Sequence, residues 1–369
     1  MLALGRPPFS LAGLLRDYRS GARRPSEVAR ELGERIEEDE EPVWITKVAP
    51  EDLLAAARTL DGGDRSLPLY GIPFAVKDNI DVAGMPTTAA CPGFAYVAQD
   101  NAPAVELLLA AGALLVGKTN MDQFATGLVG TRTPYGACSS VYDPARVSGG
   151  SSSGSALAVA LGQVAFALGS DTAGSGRVPA AFNGLVGVKP TRGLVSTRGT
   201  VPACASLDCI SIFAPAVADG AAVLEVISGF DPLDPWSRPA PAREHEPARE
   251  HERAARVVER APRELERARE PGARLGIPLP GQAEPEEAEA AAAWAGALER
   301  AEGQATLVTV DVAPLLEAAP LHYAAWVAER TSHLGAVIAA EPEGLDPAVA
   351  AIIRSGADLT AVEIFDAVH

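Results

Sequence analysis

Histidine is scarce in this chain: five in 369 residues, and none between residues 71 and 215. That same stretch is the richest in glycine and serine, so a serine acting there as nucleophile needs a base other than imidazole. Cysteine is equally sparse. Cys91, Cys138, Cys204 and Cys209 form no C-x-x-C pair and fit no zinc spacing. They read as small buried hydrophobes in a reducing, cytoplasmic compartment, with no metal and no cofactor expected. Long apolar runs are missing too. Ser155 to Gly169 is Ala-rich and falls short of the ~18 residues that a membrane helix needs. Met1 to Pro8 is broken by Gly5, Arg6 and two prolines, so no signal peptide is expected.

Positive charge is in deficit. The formal net charge is −17, which repels nucleic acid phosphates and anionic membrane surfaces. No nucleic-acid or membrane partner is expected, and a cationic substrate contact would have to be local. Apolar residues make up 47% of the chain, enough for a sizeable core, and 35 Gly and 30 Pro point to many turns.

Residues 9–60 read as helices: Ser10 precedes an apolar-spaced run, and Pro25 stands at a helix start. Ile72 to Val76 is short, apolar and bounded by Gly71 and Asp78-Asn79, which predicts a buried strand delivering Lys77 at its C-terminal end. Ala102 to Ala111 reads as a helix and Ala113 to Val116 as a strand. The alternation continues past residue 200 and favours an α/β layered sheet. At about Pro239 the composition changes. Residues 240–274 contain Arg-Glu-His-Glu twice, at 243–246 and 249–252, then Arg and Glu in near alternation. Such a charge-balanced, low-complexity stretch reads as a solvated insertion. Beyond it, 275–278 and 306–310 resemble strands, while 285–302 and 313–340 resemble helices.

Two motifs fail on context. Gly112 to Thr119 matches the phosphate-loop pattern G-x-x-x-x-G-K-T, but its inner residues, Ala113-Leu-Leu-Val116, are those of a strand rather than a loop offering N–H groups. Gly150-Ser-Ser152-Ser-Gly154 matches the nucleophile elbow G-x-S-x-G. It lacks a preceding buried strand and a histidine in its half of the chain. A neutral lysine is the alternative base, because burial lowers an ammonium pKa from about 10.4. Lys77, Lys118 and Lys189 lie in the Gly/Ser-rich half.

Gly149 to Ser155, Asp171 to Pro190 and the upstream Val76-Lys77-Asp78-Asn79 resemble the signature block of the amidase signature family. The likeness runs from about residue 10 to 235 and resumes at 275. It implies a mixed β-sheet sandwiched between α-helical layers, in a single amidase domain over 1–369. It also implies a Ser–cisSer–Lys triad: Ser175 as nucleophile, Ser151 after a cis Gly150–Ser151 peptide as relay, Lys77 as base. Thr172, Ala173 and Gly174 match the family's oxyanion hole.

Within the family, Asn120 to Gly136, Pro190 to Gly199, Pro202 to Phe213 and Trp326 to Arg330 are similar to the allophanate hydrolase subgroup, alone or as the hydrolase part of urea amidolyase. That likeness implies hydrolysis of allophanate to ammonia and carbon dioxide, with Gly127, Tyr323 and Arg330 contacting substrate. Anchored on Trp326, the place of the substrate-contacting tyrosine falls on His322, with Tyr323 one residue later, so both stay candidates. A homodimer and a urea carboxylase partner are the associations it suggests. A general small-amide amidase or an amidotransferase-like subunit is the competing reading. The family's domain extends further than His369, where the chain stops within a helical pattern, so a shortened and inactive chain is a third expectation.

Overall fold

A computed structural model of the chain describes residues 8–37, 40–239 and 274–369. The charged stretch read as an insertion over 240–274 lies outside the described residues, apart from Arg274, which opens a strand.

Helices α1 (Leu11–Ser20) and α2 (Pro25–Glu37) lead into strand β1 (Trp44–Lys47) and helix α3 (Pro50–Asp61). Ser10 caps α1 by accepting from the Gly13 N–H at 3.2 Å, and Pro25 opens α2. The strand corrects the reading of 9–60 as helical throughout. Four residues between two strong helices are too few to show an alternation, and β1 owes its state to pairing with β5.

Next come β2 (Pro73–Lys77), a small ribbon of β3 (Pro86–Thr87) and β4 (Tyr96–Val97), helix α4 (Pro103–Ala110) and β5 (Leu114–Thr119). Helix α5 (Ser153–Ala160), β6 (Phe166–Asp171), the short α6 (Val178–Phe182), β7 (Val186–Val188), β8 (Cys209–Ala214) and α7 (Val217–Ile227) complete the first part. The main sheet has the order β1-β5-β2-β6-β8-β7. Strands β5, β2 and β6 run parallel, while β1, β8 and β7 pair antiparallel with their neighbours. The sheet is therefore mixed.

All residues of β2 and β6 are buried. Successive side chains point to opposite faces, so both faces of the sheet are covered. Phe74 and Phe166 stack across the β2–β6 pair, 5.4 Å between ring centroids. Helix α5 is apolar and small all round, the mark of an interior helix. Its Gly154 is required by close approach: a Cβ there would stand 2.4 Å from Val43 O and 2.6 Å from Asn120 N.

The second part holds β9 (Arg274–Pro278) and β10 (Thr306–Val310), which pair parallel in a separate two-stranded sheet, with helix α8 (Ala288–Glu302) between them in sequence. Helices α9 (Ala313–Ala318), α10 (Ala325–Ala339), α11 (Pro347–Ser355) and α12 (Ala361–Val368) follow. Leu334 and Ile338 of α10 and Val349 and Ile353 of α11 share a core with Ala89, Phe124 and Val201. That core docks α10 onto the loops around the end of β2. Among the described residues, no helix is long and apolar enough to cross a membrane.

Candidate active site

The expected strand over 72–76 is present as β2, and Lys77 is its last residue. Strand β2 lies between β5 and β6, and Lys77 is fully buried. Among the described residues the ammonium nitrogen finds only hydroxyls at hydrogen-bonding distance: Ser151 Oγ at 2.7 Å and Ser170 Oγ at 2.9 Å. Asn79 Nδ2 also donates to Ser170 Oγ, at 3.2 Å. Burial pushes the Lys77 pKa down to about 7. Asp122, Asp208 and Asp171 pull it back up, and the positive charge of Arg330 adds to the lowering. A lysine poised there exchanges a proton at neutral pH, which an exposed lysine does not.

Ser151 follows a cis Gly150–Ser151 peptide and is fully buried ahead of α5. Its carbonyl accepts from Asp122 N at 2.9 Å. Asp122 in turn gathers the loop that follows it, accepting from Val129 N, Gly130 N and Arg132 N at 3.1, 3.0 and 2.9 Å. Gly127 sits on this loop, and a Cβ there would stand 2.7 Å from Asp122 Oδ2. The loop backbone therefore needs glycine to lie against that carboxylate.

Ser175 stands on the turn that leaves β6. The buried Asp171 carboxylate organises that turn, accepting from Gly174 N at 2.9 Å, from Gly176 N at 3.0 Å and from Arg177 through Nε and Nη2, each at 3.0 Å. Burial alone would raise the Asp171 pKa. The Arg177 fork and the two amides outweigh it and hold the carboxylate below its usual range. The Gly174 N–H is thus used by the clamp. The N–H groups of Ala173 and Ser175 have no acceptor among the described residues. Ser175 Oγ likewise has no hydrogen bond there, and none joins it to Ser151, although the residue is only 4% exposed. Thr172 Oγ1 donates to Asp208, which also accepts from Ala203 N and Cys204 N.

Arg330 reaches the site from α10 and is 8% exposed. Its Nη1 donates to Thr126 Oγ1 at 2.6 Å, and its Nη2 lies 3.9 Å from Cys204 Sγ. Nε is buried with no partner among the described residues. A hydroxyl and a thiol, and no carboxylate among the described residues, hold this guanidinium. The side chains of His322 and Tyr323 lie outside the described residues, so Tyr323 is placed only as the end of a 3-10 turn, Ala319–Tyr323.

The rejected motifs have structural roles. Lys118 ends in a buried ion pair with Asp78, 3.4 Å apart, and donates to Thr87 Oγ1 and Pro86 O. Burial pushes its pKa down and that of Asp78 up. The segment before it is β5, not a loop. Ser152, the elbow-pattern residue, turns its hydroxyl to Ser170 O at 3.2 Å. The four cysteines are free and buried, and among the described residues no cluster of potential ligands could hold a metal ion. Sequence reasoning missed Ser170, Asp122, Asp208, Thr126 and Cys204. Asp122, Thr126, Cys204 and Asp208 lie within segments already singled out, which was their one signal, and Ser170 directly precedes the signature block.

The Amidase family model matches residues 27–359. Urea amidolyase of Saccharomyces cerevisiae is 44% identical over 329 residues, 87% of this chain and 17% of that protein. A glutamyl-tRNA(Gln) amidotransferase subunit of Symbiobacterium thermophilum is 45% identical over 234 residues, covering 61% of this chain and 48% of that one. Among solved structures, Kluyveromyces lactis allophanate hydrolase superposes with a TM-score of 0.82 at 39% identity, covering 97% of this chain and 56% of that one. The chain thus spans a minor part of the urea amidolyase and about half of the allophanate hydrolase. The mixed sheet, the helices covering it and these likenesses agree with the amidase signature fold expected from the Gly/Ser-rich block: the chain belongs to the amidase family.

Proposed function

We propose that this chain hydrolyses the terminal amide of allophanate, a urea carrying a carboxylate on one nitrogen, with Lys77, Ser151 and Ser175 as catalytic residues. The observation that carries the reading is Lys77 Nζ, fully buried and 2.7 Å from Ser151 Oγ. Neutral Lys77 takes the Ser151 proton as Ser151 takes that of Ser175, and Ser175 Oγ attacks the carbonyl carbon. The developing oxyanion lies against the Thr172–Ala173–Gly174 turn, whose Ala173 N–H is free to receive it. The relay then runs backward and protonates the departing nitrogen. Ammonia leaves, and water cleaves the acyl-enzyme to an N-carboxylated carbamate that decomposes to ammonia and carbon dioxide.

An anionic substrate is favoured by Arg330, a buried guanidinium with an unpartnered Nε. Such a group suits a carboxylate. Gly127 and Tyr323 complete the proposed contact set. A reaction that carboxylates urea has to supply this substrate. The likeness to the tRNA-dependent amidotransferase favours a second reading, a neutral primary amide as substrate. Purified protein given allophanate is expected to release ammonia, and an uncharged fluorophosphonate is expected to label Ser175, located by mass spectrometry of the peptide. A folded chain that labels at Ser175 but releases no ammonia from allophanate overturns the substrate; one that does not label overturns the triad.

A further inference from the structure

We infer that Thr126 is a specificity-determining positioning residue: its hydroxyl holds the Arg330 guanidinium so that the buried Nε–H, unpartnered among the described residues, is left to the carboxylate of the substrate. The inference rests on the reading of Arg330 as the anion contact.

Thr126 is 2% exposed and is fixed at each of its polar atoms. Its N–H donates to Gln123 O at 3.0 Å, and its carbonyl accepts from Arg132 Nη1 at 3.0 Å. Its hydroxyl donates to Phe124 O at 3.2 Å. A hydroxyl has one proton, so toward Arg330 Oγ1 acts only as an acceptor, at 2.6 Å from Nη1. The backbone before it is unusual. Phe124 and Ala125 both adopt positive φ, 50° and 51°, a conformation that surrounding contacts have to impose. One such contact is Gln123, whose amide donates to Ala90 O and Gly344 O while its Oε1 accepts from Asp346 N. Asp346 caps α11, so the loop carrying Thr126 is bound to the helix pair that carries Arg330.

On its other side, the guanidinium meets, among the described residues, only Cys204 Sγ, a weak acceptor whose own Sγ–H is turned to Trp326 O at 3.2 Å. Thr126 is therefore the one strong acceptor on Arg330 among the described residues. A carboxylate pairs best with two parallel N–H groups of a guanidinium. Nε–H, which lacks a partner, is one of them. With the Thr126 hydroxyl removed, Nη1 is left seeking an acceptor, and the side chain turns to find one.

The test is Thr126→Val, which keeps the shape and deletes the acceptor, with Thr126→Ser as the rescuing variant and Thr126→Ala as a second deletion. Loss of the charge-assisted hydrogen bond that orients Arg330 is expected to raise KM for allophanate about tenfold, with kcat within about twofold. Labelling of Ser175 by an uncharged fluorophosphonate is expected at the parental rate, and Thr126→Ser at near-parental KM. Equal loss in kcat, KM and labelling, or failure of serine to rescue, marks a general packing role and overturns the inference. Arg330→Ala is measured beside it. If that variant raises KM strongly while Thr126→Val and Thr126→Ala do not, Thr126 is excluded and Arg330 stands. If Arg330→Ala leaves KM unchanged, the anion contact itself is wrong and the inference falls with it.

Discussion

Lys77 Nζ and Ser151 Oγ lie 2.7 Å apart, and both residues are fully buried. The two come from opposite sides of the Gly/Ser-rich half, a strand end and the start of an interior helix. What meets there is a lysine whose surroundings lower its pKa to about 7, as the proposed role of base requires. Hydroxyls beside the nitrogen stabilise its charge less than carboxylates would, and the nearby acids are engaged by backbone N–H groups.

The pH profile follows from this. Only the neutral amine accepts a proton, and its fraction grows as pH rises through about 7. The kcat/KM for allophanate is expected to rise about tenfold per pH unit on the acid side and level off above an apparent pKa of about 7. Lys77→Ala should lower kcat by roughly a thousandfold and abolish that limb. Steady-state kinetics between pH 5 and 9 check both, and a limb retained in the alanine variant would assign it to another group.

The same pKa also links Lys77 to stability. In the unfolded chain Lys77 titrates near its ordinary value of 10.5, in the folded chain near 7. Between those values the unfolded state holds the extra proton, so stability rises with pH across that window; below about 7 the penalty is present in full. Lys77→Met removes the penalty. Its melting temperature is expected to exceed that of the parent by several degrees at pH 7 and by less at pH 10. Thermal melts at the two pH values check the sign, and an equal shift at both would attribute the gain to packing.

Strand β2 and its terminal lysine were legible because a short apolar run bounded by Gly and Asp-Asn has few other readings. So was the failure of Lys118 as a phosphate ligand. The roles proposed for Ser151 and Ser175 were not legible from spacing. Several serines crowd 148–155, and only the family resemblance separated them. The polar framework was hidden for a different reason. Thr126 and Arg330 are 204 residues apart in sequence, and Ser206 and Glu329 are 123 apart. Such pairs carry no local pattern and exist only once α10 docks on the loops. Strand β1 was invisible because its pairing partner, not its four residues, decides its state.

Helix α5 tests the packing side of the site. Gly154→Ala would bring a Cβ to 2.4 Å from Val43 O and 2.6 Å from Asn120 N, both backbone atoms that a side-chain rotation cannot relieve. Overpacking of this kind costs about 1–3 kcal/mol. The variant is expected to melt several degrees lower and to lose activity further than stability, because Ser151 is only three residues upstream. Calorimetry together with kcat at a temperature where both proteins are folded checks this. An unchanged melting temperature would mean that the backbone yields more readily than its neighbours suggest.

Asp208 links the turn that carries Ser175 to the segment that packs beside Arg330. Its carboxylate takes the Thr172 hydroxyl and the N–H groups of Ala203 and Cys204, at 2.9 and 3.2 Å for the amides. Burial pushes its pKa up, and these three donors and the Arg330 charge hold it down. The segment it anchors is itself held to α10, where Ser206 N donates to Glu329 Oε1 at 2.8 Å. Asp208→Asn would turn an amide N–H against a donor and release Thr172 from one side. If the turn forms the proposed oxyanion hole, its misplacement is expected to lower kcat by about tenfold to a hundredfold, while the proposed carboxylate contact at Arg330 is expected to keep KM within a few fold. Thr172→Val removes the same link from its other end, so the double variant is expected to be little worse than either single one. A double-mutant cycle on kcat and on the rate of Ser175 labelling reads that coupling. Additive losses would show that Asp208 and Thr172 act separately, and a loss confined to KM would place Asp208 with substrate binding instead of with the turn.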